Sequence, residues 1–462
     1  MKPSDVRILE AEPFFTEEKA REPLKFGAVV MAEVTLCHVR VRVETRAGRV
    51  ADGWGAIFLA DFWGFPSPRV PHAQRDEAMR RVTSQFCRLA EGCKDFGHPI
   101  DIFLSLEHDL RGMPAAVSRD MALAEPLPFL AALVSASPVD AALHDAFGVA
   151  NGIPTYEGYG PDHMSRDLGA YLGADFKGRH LSQELRPSYA PAVPNFHLVG
   201  GLDKLRESEV AADAPKDGLP NSLDRWIERD GLICLKVKLR GNDLAWDLNR
   251  MAEVYRIARE IHQRRGIREL HTSADTNEQC DSPAYIVELL TRLRETDPEA
   301  YASLLYVEQP TERDLGARRH DMRAVAALKP VILDESLTGL EDMDLALGLG
   351  WSGIALKTCK CQSIELLLAA KAHAKGIPYT IQDLTNPGLA LLHSAGLAAR
   401  LRPMMGFEAN SRQFFPDASV AEREVHPGIF TVRDGLIRTD SLRGSGLGYQ
   451  VERMSRPIFR GR

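Results

Sequence analysis

The stretch "GLICLKVKLRG", residues 231–241, decides how the rest of the chain is read. It has the texture of a buried strand, yet it carries Lys236 and Lys238. Side chains two residues apart on a strand share one face, so both ammonium groups point to the same side. Burying one such charge without a partner is costly, and burying two side by side costs more. Anionic or catalytic groups are expected opposite them.

From about residue 193 onward, short apolar runs alternate with amphipathic helical stretches. "GLICLKVKL" is followed by "DLNRMAEVYRIAREIHQRR", "PAYIVELLTRLRETD", "ASLLYVEQP", "KPVILDES", "GIALKTCK", "SIELLLAAKAHAKG" and "IPYTIQD", with a further helical region near 318–328. Repeated βα units demand a parallel sheet, and this many fit a (β/α) barrel better than an open sheet. Chemistry in such barrels sits at the C-terminal ends of the strands. Read in order, those ends carry Lys236 and Lys238, then Asp275, Glu308, Asp334 and Lys357, at steps of 23 to 37 residues from Lys238 onward. That spacing is about one βα unit. Adjacent strands thus deliver two flanking cations with three acids between them.

Three converging carboxylates do not all stay ionised without a cation. Oxygen-only ligands favour a hard divalent ion, Mg²⁺ first and Mn²⁺ second. Positive charge from that ion and a second lysine disfavours an ammonium, so one lysine is expected to be neutral near pH 7. Lys238 then reads as a general base and Lys236 as its pKa-lowering, substrate-oxygen-binding neighbour.

Ahead of the barrel, residues 28–60 alternate apolar and polar around a Gly-containing turn, the pattern of an antiparallel hairpin. Helices are expected over about 73–93 and 127–150, the second with Ser137 and Gly152 as start and stop signals. Residues 158–192 read as a long irregular connection that covers the site or mediates assembly. Segment 13–27 and the aromatic stretch 54–66 are candidates to close the barrel mouth, with Phe62, Trp63 and Phe65 reading as cap core or as a substrate wall. The resulting division is 1–190, 191–415 and a returning tail, 416–462.

The bulk properties set outer limits. The chain has 462 residues, 44% hydrophobic and 26% charged, with net charge −7. Such a balance argues against a nucleic-acid or membrane-surface partner. No apolar run has signal-peptide or bilayer-spanning length. The seven cysteines are scattered, as reduced thiols in a cytoplasmic protein are, and Cys359 and Cys361 in "TCKCQS" read as ordinary thiols.

The series K-x-K (236–238), D-x-N (275–277), E-Q-P (308–310), D-E-S (334–336) and L-K-x-x-K (356–360) resembles the enolase superfamily, in its mandelate racemase / muconate lactonizing branch. "SPVDAALHDAFGVANGIPTYE" is similar to that family's cap helix and "DGLIRTDSLRGSGLGY" to its returning tail. The resemblance implies an α/β fold, a modified TIM (β/α) barrel with an α+β capping domain built from the N-terminal region and the C-terminal tail. It implies Asp275, Glu308 and Asp334 as Mg²⁺ ligands and Lys238 and Lys357 as an acid/base pair, with Lys236 beside them. Lysine on both sides is similar to the muconate lactonizing type rather than the mandelate racemase type. Asn277, Glu335, Lys360, Asp383 and Glu408 are further candidates for substrate binding, the last two alternatively as loop supports. Cys361-Gln362 departs from the family's Gly-Gly after the final lysine. The implied chemistry is removal of the proton α to a carboxylate in an acid sugar, hydroxy acid or amino-acid derivative, followed by racemisation, epimerisation or dehydration. Cycloisomerisation is the alternative within the family. A Schiff-base lysine lyase or a non-catalytic carboxylate-binding barrel are the alternatives outside it. A homo-oligomer acting on a small carboxylate is expected.

Overall fold

Strand alternation at the N-terminus builds a separate antiparallel sheet of β1 (Val6–Phe26), β2 (Val29–Thr45) and β3 (Val50–Phe58), in the order β1-β2-β3. The structure is a computed structural model that describes residues 1–26 and 29–460. Gly27 and Ala28, at the edges of the segments read above as closing piece and hairpin, lie outside the described residues. The hairpin of β2 and β3 forms as expected and turns through Gly48 at φ 77°. β1 was not legible as a strand, because "TEEKAREP" puts charge on both faces. Pairing with β2 carries it, and the register slips between Lys19 and Leu24.

A helix, Phe129–Asn151, lies on this sheet and is buried along almost all its length. Gly53 and Gly55 on β3 let the helix backbone rest directly on the strand. A Cβ at Gly53 would stand 2.1 Å from the Ala146 nitrogen, and one at Gly55 2.1 Å from the Pro138 carbonyl. The helix starts eight residues before Ser137, whose hydroxyl donates to the Val134 carbonyl at 2.8 Å instead of capping. Its end at Gly152, left-handed at φ 68°, is the stop that the sequence indicates. The helix His72–Gly92 matches expectation. A third helix, Pro99–Asp120, does not appear in the sequence pattern, because Gly112 and Pro114 interrupt it.

Eight parallel strands form the barrel: β4 (Ala192–Val199), β5 (Cys234–Lys238), β6 (His271–Asp275), β7 (Leu304–Glu308), β8 (Val331–Leu333), β9 (Gly353–Lys357), β10 (Tyr379–Gln382) and β11 (Phe407–Glu408). Each pairs with the next, and β11 pairs with β4 to close the ring. The helical region expected near 318–328 shrinks to a single turn, Arg323–Ala326. In the tail, β12 (Leu436–Arg438) runs antiparallel to the start of β4. Farther on, the backbone nitrogens of Leu447 and Trp54 both donate to Asp145, at 2.7 and 2.9 Å, so tail, sheet and cap helix meet on one carboxylate. The 158–192 connection packs along the outer barrel helices, with Arg186 and Ala190 nitrogens donating to the carbonyls of Arg400 and Ala399. Among the described residues, no helix is long and apolar enough to cross a membrane.

Candidate active site

The two lysines of β5 do face one way, into the barrel. Lys236 Nζ reaches Glu308 Oε1 on β7 at 2.7 Å, Glu408 Oε2 on β11 at 2.8 Å and Asp275 Oδ2 on β6 at 3.1 Å. Lys238 Nζ donates to Asp275 Oδ2 at 2.5 Å. Strand register explains this convergence, because Lys238, Asp275 and Glu308 are cross-strand neighbours in one row. Lys357, Gln382 and Glu408 form a second such row. Asp334 follows the last residue of β8 and takes two ammonium groups, Lys357 Nζ on Oδ2 at 2.7 Å and Lys360 Nζ on Oδ1 at 3.1 Å. Lys238 and Lys357 therefore stand on either side of three acids.

Every one of these groups is buried, from Glu308 at 0% exposed to Glu408 at 8%. Burial alone lowers a lysine pKa, but the charges of Glu308, Glu408 and Asp275 outweigh it and hold Lys236 well above its ordinary value. Burial likewise opposes the charge on Lys357, and Asp334 chiefly restores it, so its pKa is also raised. Lys236 and Lys357 are thus both held in the charged form, because each has a carboxylate within hydrogen-bond reach. Glu308 is displaced upward, first by burial, with Asp275 and Asp334 adding to the shift against Lys236.

The further polar candidates separate into distinct roles. Asn277 steadies the acids, its backbone nitrogen donating to Asp275 Oδ1 at 2.8 Å and its amide to Glu335 Oε1 at 3.2 Å. Lys360 is spent on Asp334, donating also to its carbonyl at 2.7 Å. Asp383 supports loops, since its oxygens accept from the Thr385 and Asn410 nitrogens at 2.7 and 3.2 Å. Glu408 backs Lys236, with Asn410 holding its other oxygen at 2.7 Å. Glu335 accepts from Trp63 Nε1 at 3.1 Å, while its buried Oε2 has no hydrogen-bond partner among the described residues. Burial and the Asp334 charge push the Glu335 carboxyl up to about 8.

Two site residues were poorly legible. Gln382 accepts from Lys236 at 3.3 Å and donates to Glu308 Oε2 at 2.7 Å, closing a ring of three strands. Its only signal in the sequence is position, the last residue of "YTIQ", next to the more conspicuous charge of Asp383. Trp63, at the edge of the cap, roofs the site: Lys357 Nζ lies 4.7 Å and Lys360 Nζ 5.7 Å from its ring centre. Phe62 and Phe65 are buried in the cap core.

The loop that departs from Gly-Gly is built differently. Cys361 adopts φ 74°, a conformation that favours glycine. Its neighbours are locked to the cap and to a barrel helix: Ser363 bonds Asp140 and His144, and Gln362 bonds Tyr159 of the cap side and His393 on the helix Gly388–Arg400. Both thiols are buried and their pKa values raised, Cys359 to about 12, as inert cysteines.

A hard divalent ion fits this donor set by chemistry, with three carboxylates on neighbouring strands and a fourth, Glu335, offering an unpartnered buried oxygen. As the side chains lie, the acids are spread over four ammonium partners. Among the described residues, no three His, Cys, Asp or Glu side chains stand close enough together to hold an ion.

A family model described as "Enolase C-terminal domain-like" matches residues 219–455. No curated protein matches the chain. Among solved structures, the L-Ala-D/L-Glu epimerase of Bacillus subtilis, in a substrate-liganded complex, aligns with TM-score 0.62 at 17% identity, over 96% of this chain and 98% of that one. A muconate lactonizing enzyme of Pseudomonas fluorescens, complexed with muconolactone, gives 0.63 at 18% identity over 96% of each chain. A dipeptide epimerase of Enterococcus faecalis V583, complexed with Mg and L-Leu-L-Tyr, gives 0.61 at 16% identity over 96% and 99%.

Proposed function

Since this chain belongs to the enolase C-terminal domain-like family, in the mandelate racemase / muconate lactonizing branch of the enolase superfamily, we propose that it removes the proton α to the carboxylate of a small acid and returns a proton to the same carbon. Membership makes it an enzyme of isomerase or lyase type. The observation that carries the finer reading is the placement of Lys238 and Lys357 on opposite sides of Asp275, Glu308 and Asp334. An amine on each face of a bound acid is what racemisation or epimerisation needs, one Nζ taking the proton and the other delivering one.

Asp275, Glu308 and Asp334 would hold Mg²⁺, which supplies positive charge against the charge that builds on the substrate carboxylate. Lys236, held by Glu408 and Gln382, adds a fixed positive charge beside the same oxygens. Trp63 excludes water. Asp275 and Asp334, if they held such an ion, would bind Lys238 and Lys357 less firmly, which would leave one amine neutral to act as base. Amino-acid derivatives, dipeptides among them, join acid sugars and hydroxy acids as the substrate class. The division into cap 1–190, barrel 191–415 and tail 416–462, a cytoplasmic location and a homo-oligomeric state belong to this proposal.

The deciding experiment is exchange of the α-hydrogen in D₂O with Mg²⁺, across a library of such acids. Exchange is expected in at least one member, and Lys238→Ala and Lys357→Ala should each abolish it or restrict it to one enantiomer. Undiminished exchange of both enantiomers in both variants would overturn the assignment.

A further inference from the structure

On the flank of the barrel, between the helix Leu223–Asp230 and the returning tail, lies a cavity of about 360 Å³ whose walls include four arginines, Arg229, Arg412, Arg423 and Arg433, and one acid, Asp230. That acid is already committed. Its Oδ1 accepts from Arg229 Nε at 2.8 Å, and its Oδ2 is paired with Arg412. Arg412 is nine-tenths buried, with its side chain 10% exposed. One of its terminal nitrogens meets His197 Nδ1 at 3.1 Å, and its Nε has no hydrogen-bond partner among the described residues. Arg423 and Arg433 are exposed and make no side-chain hydrogen bond or ion pair among the described residues. Across from them the wall is apolar, with Pro416, Phe430 and Val432.

Exposed arginines commonly need no partner, but these converge on one cavity of ligand size, beside a buried guanidinium that is incompletely satisfied. Four guanidiniums against one carboxylate make the cavity strongly positive. Guanidinium forks match the paired oxygens of phosphates and carboxylates, and the apolar wall accommodates a non-polar body. We propose that this cavity is a second binding site, distinct from the barrel mouth, for a small organic oxyanion. Arg423 and Arg433 clamp the oxyanion, Arg412 and Arg229 back it, and Phe430 packs against the body. The site stands independently of the reaction in the barrel.

Calorimetric titration of the full chain at low salt tests it, with phenyl phosphate, benzoate and inorganic phosphate as probes. One site per chain is expected for phenyl phosphate or benzoate, the tighter of the two naming the oxyanion, and weaker binding for inorganic phosphate, which has no apolar body. Arg423→Ala and Arg433→Ala should each weaken the better probe about tenfold or more, while Arg423→Lys keeps part of the affinity by retaining charge. Absence of saturable binding for all three probes would overturn the proposal, as would unchanged affinity in the double alanine variant with the fold intact by circular dichroism.

Discussion

Lys236 illustrates how much of this site is held by neutral or secondary groups. Its ammonium is fixed from four strands, and Gln382 links it to its partner Glu308 by accepting from Lys236 and donating to that carboxylate. Gln382→Leu removes both bonds at nearly constant volume. It should slow α-hydrogen exchange about 10- to 100-fold, as losses of supporting ligand partners do, with most of the change in kcat rather than KM. It should also cost about 1–3 kcal/mol in urea unfolding, because a buried Glu308 oxygen loses its donor. The charged residues were legible because strand ends at βα spacing single them out. Gln382 was not, since a neutral amide carries no such mark, and Trp63 was ambiguous because an aromatic in a cap reads as core. Asp383 and Glu408 could be placed near the rim, but whether they bind or brace depends on backbone amides that sequence alone does not locate.

At the level of elements, the junction between β3 and the helix Phe129–Asn151 is the most exacting contact of the cap. Gly53 and Gly55 are there because the helix backbone occupies the space of their side chains. Gly55→Ala should therefore force the helix off the strand and destabilise the chain by about 3 kcal/mol or more in chemical denaturation. Gly152→Ala gives a useful contrast, since nothing lies within 4 Å of its added Cβ and only left-handed strain at φ 68° opposes it, costing about 1 kcal/mol. The barrel strands were legible through periodic βα alternation, and the hairpin through its period of two. β1 and the helix Pro99–Asp120 were hidden for a shared reason. Each breaks its own pattern locally, by charge on both faces or by Gly112 and Pro114, and is rescued by tertiary packing.

Across the whole molecule, buried histidines tie stability to pH. Burial pushes His38, His98 and His393 down to about 3. An unfolded imidazole titrates near 6.5, so the folded state binds fewer protons below that value. The stabilising contribution is complete above pH 6.5 and is lost as pH falls toward 3. Asp140 and Asp145, raised to about 7 mainly by burial, act in the opposite sense, and what they contribute is lost as pH rises from about 4 to 7. A single variant separates the two families. His98→Asn keeps a side chain able to cap the helix Pro99–Asp120 and removes one titrating group. Between pH 7 and pH 5 its unfolding free energy should fall by about 2 kcal/mol less than that of the parent, measured by urea denaturation at each pH. An equal fall in both proteins would contradict the assignment of a neutral His98.

The roof over Lys357 has a consequence for time rather than for energy. With Trp63 seated over Lys357 and both flanking amines nearly closed to solvent, that indole has to give way before an acid reaches Lys357. Each cycle thus needs that indole displaced twice, for entry and for exit, and the pace of the displacement bounds throughput however fast the bond-breaking becomes.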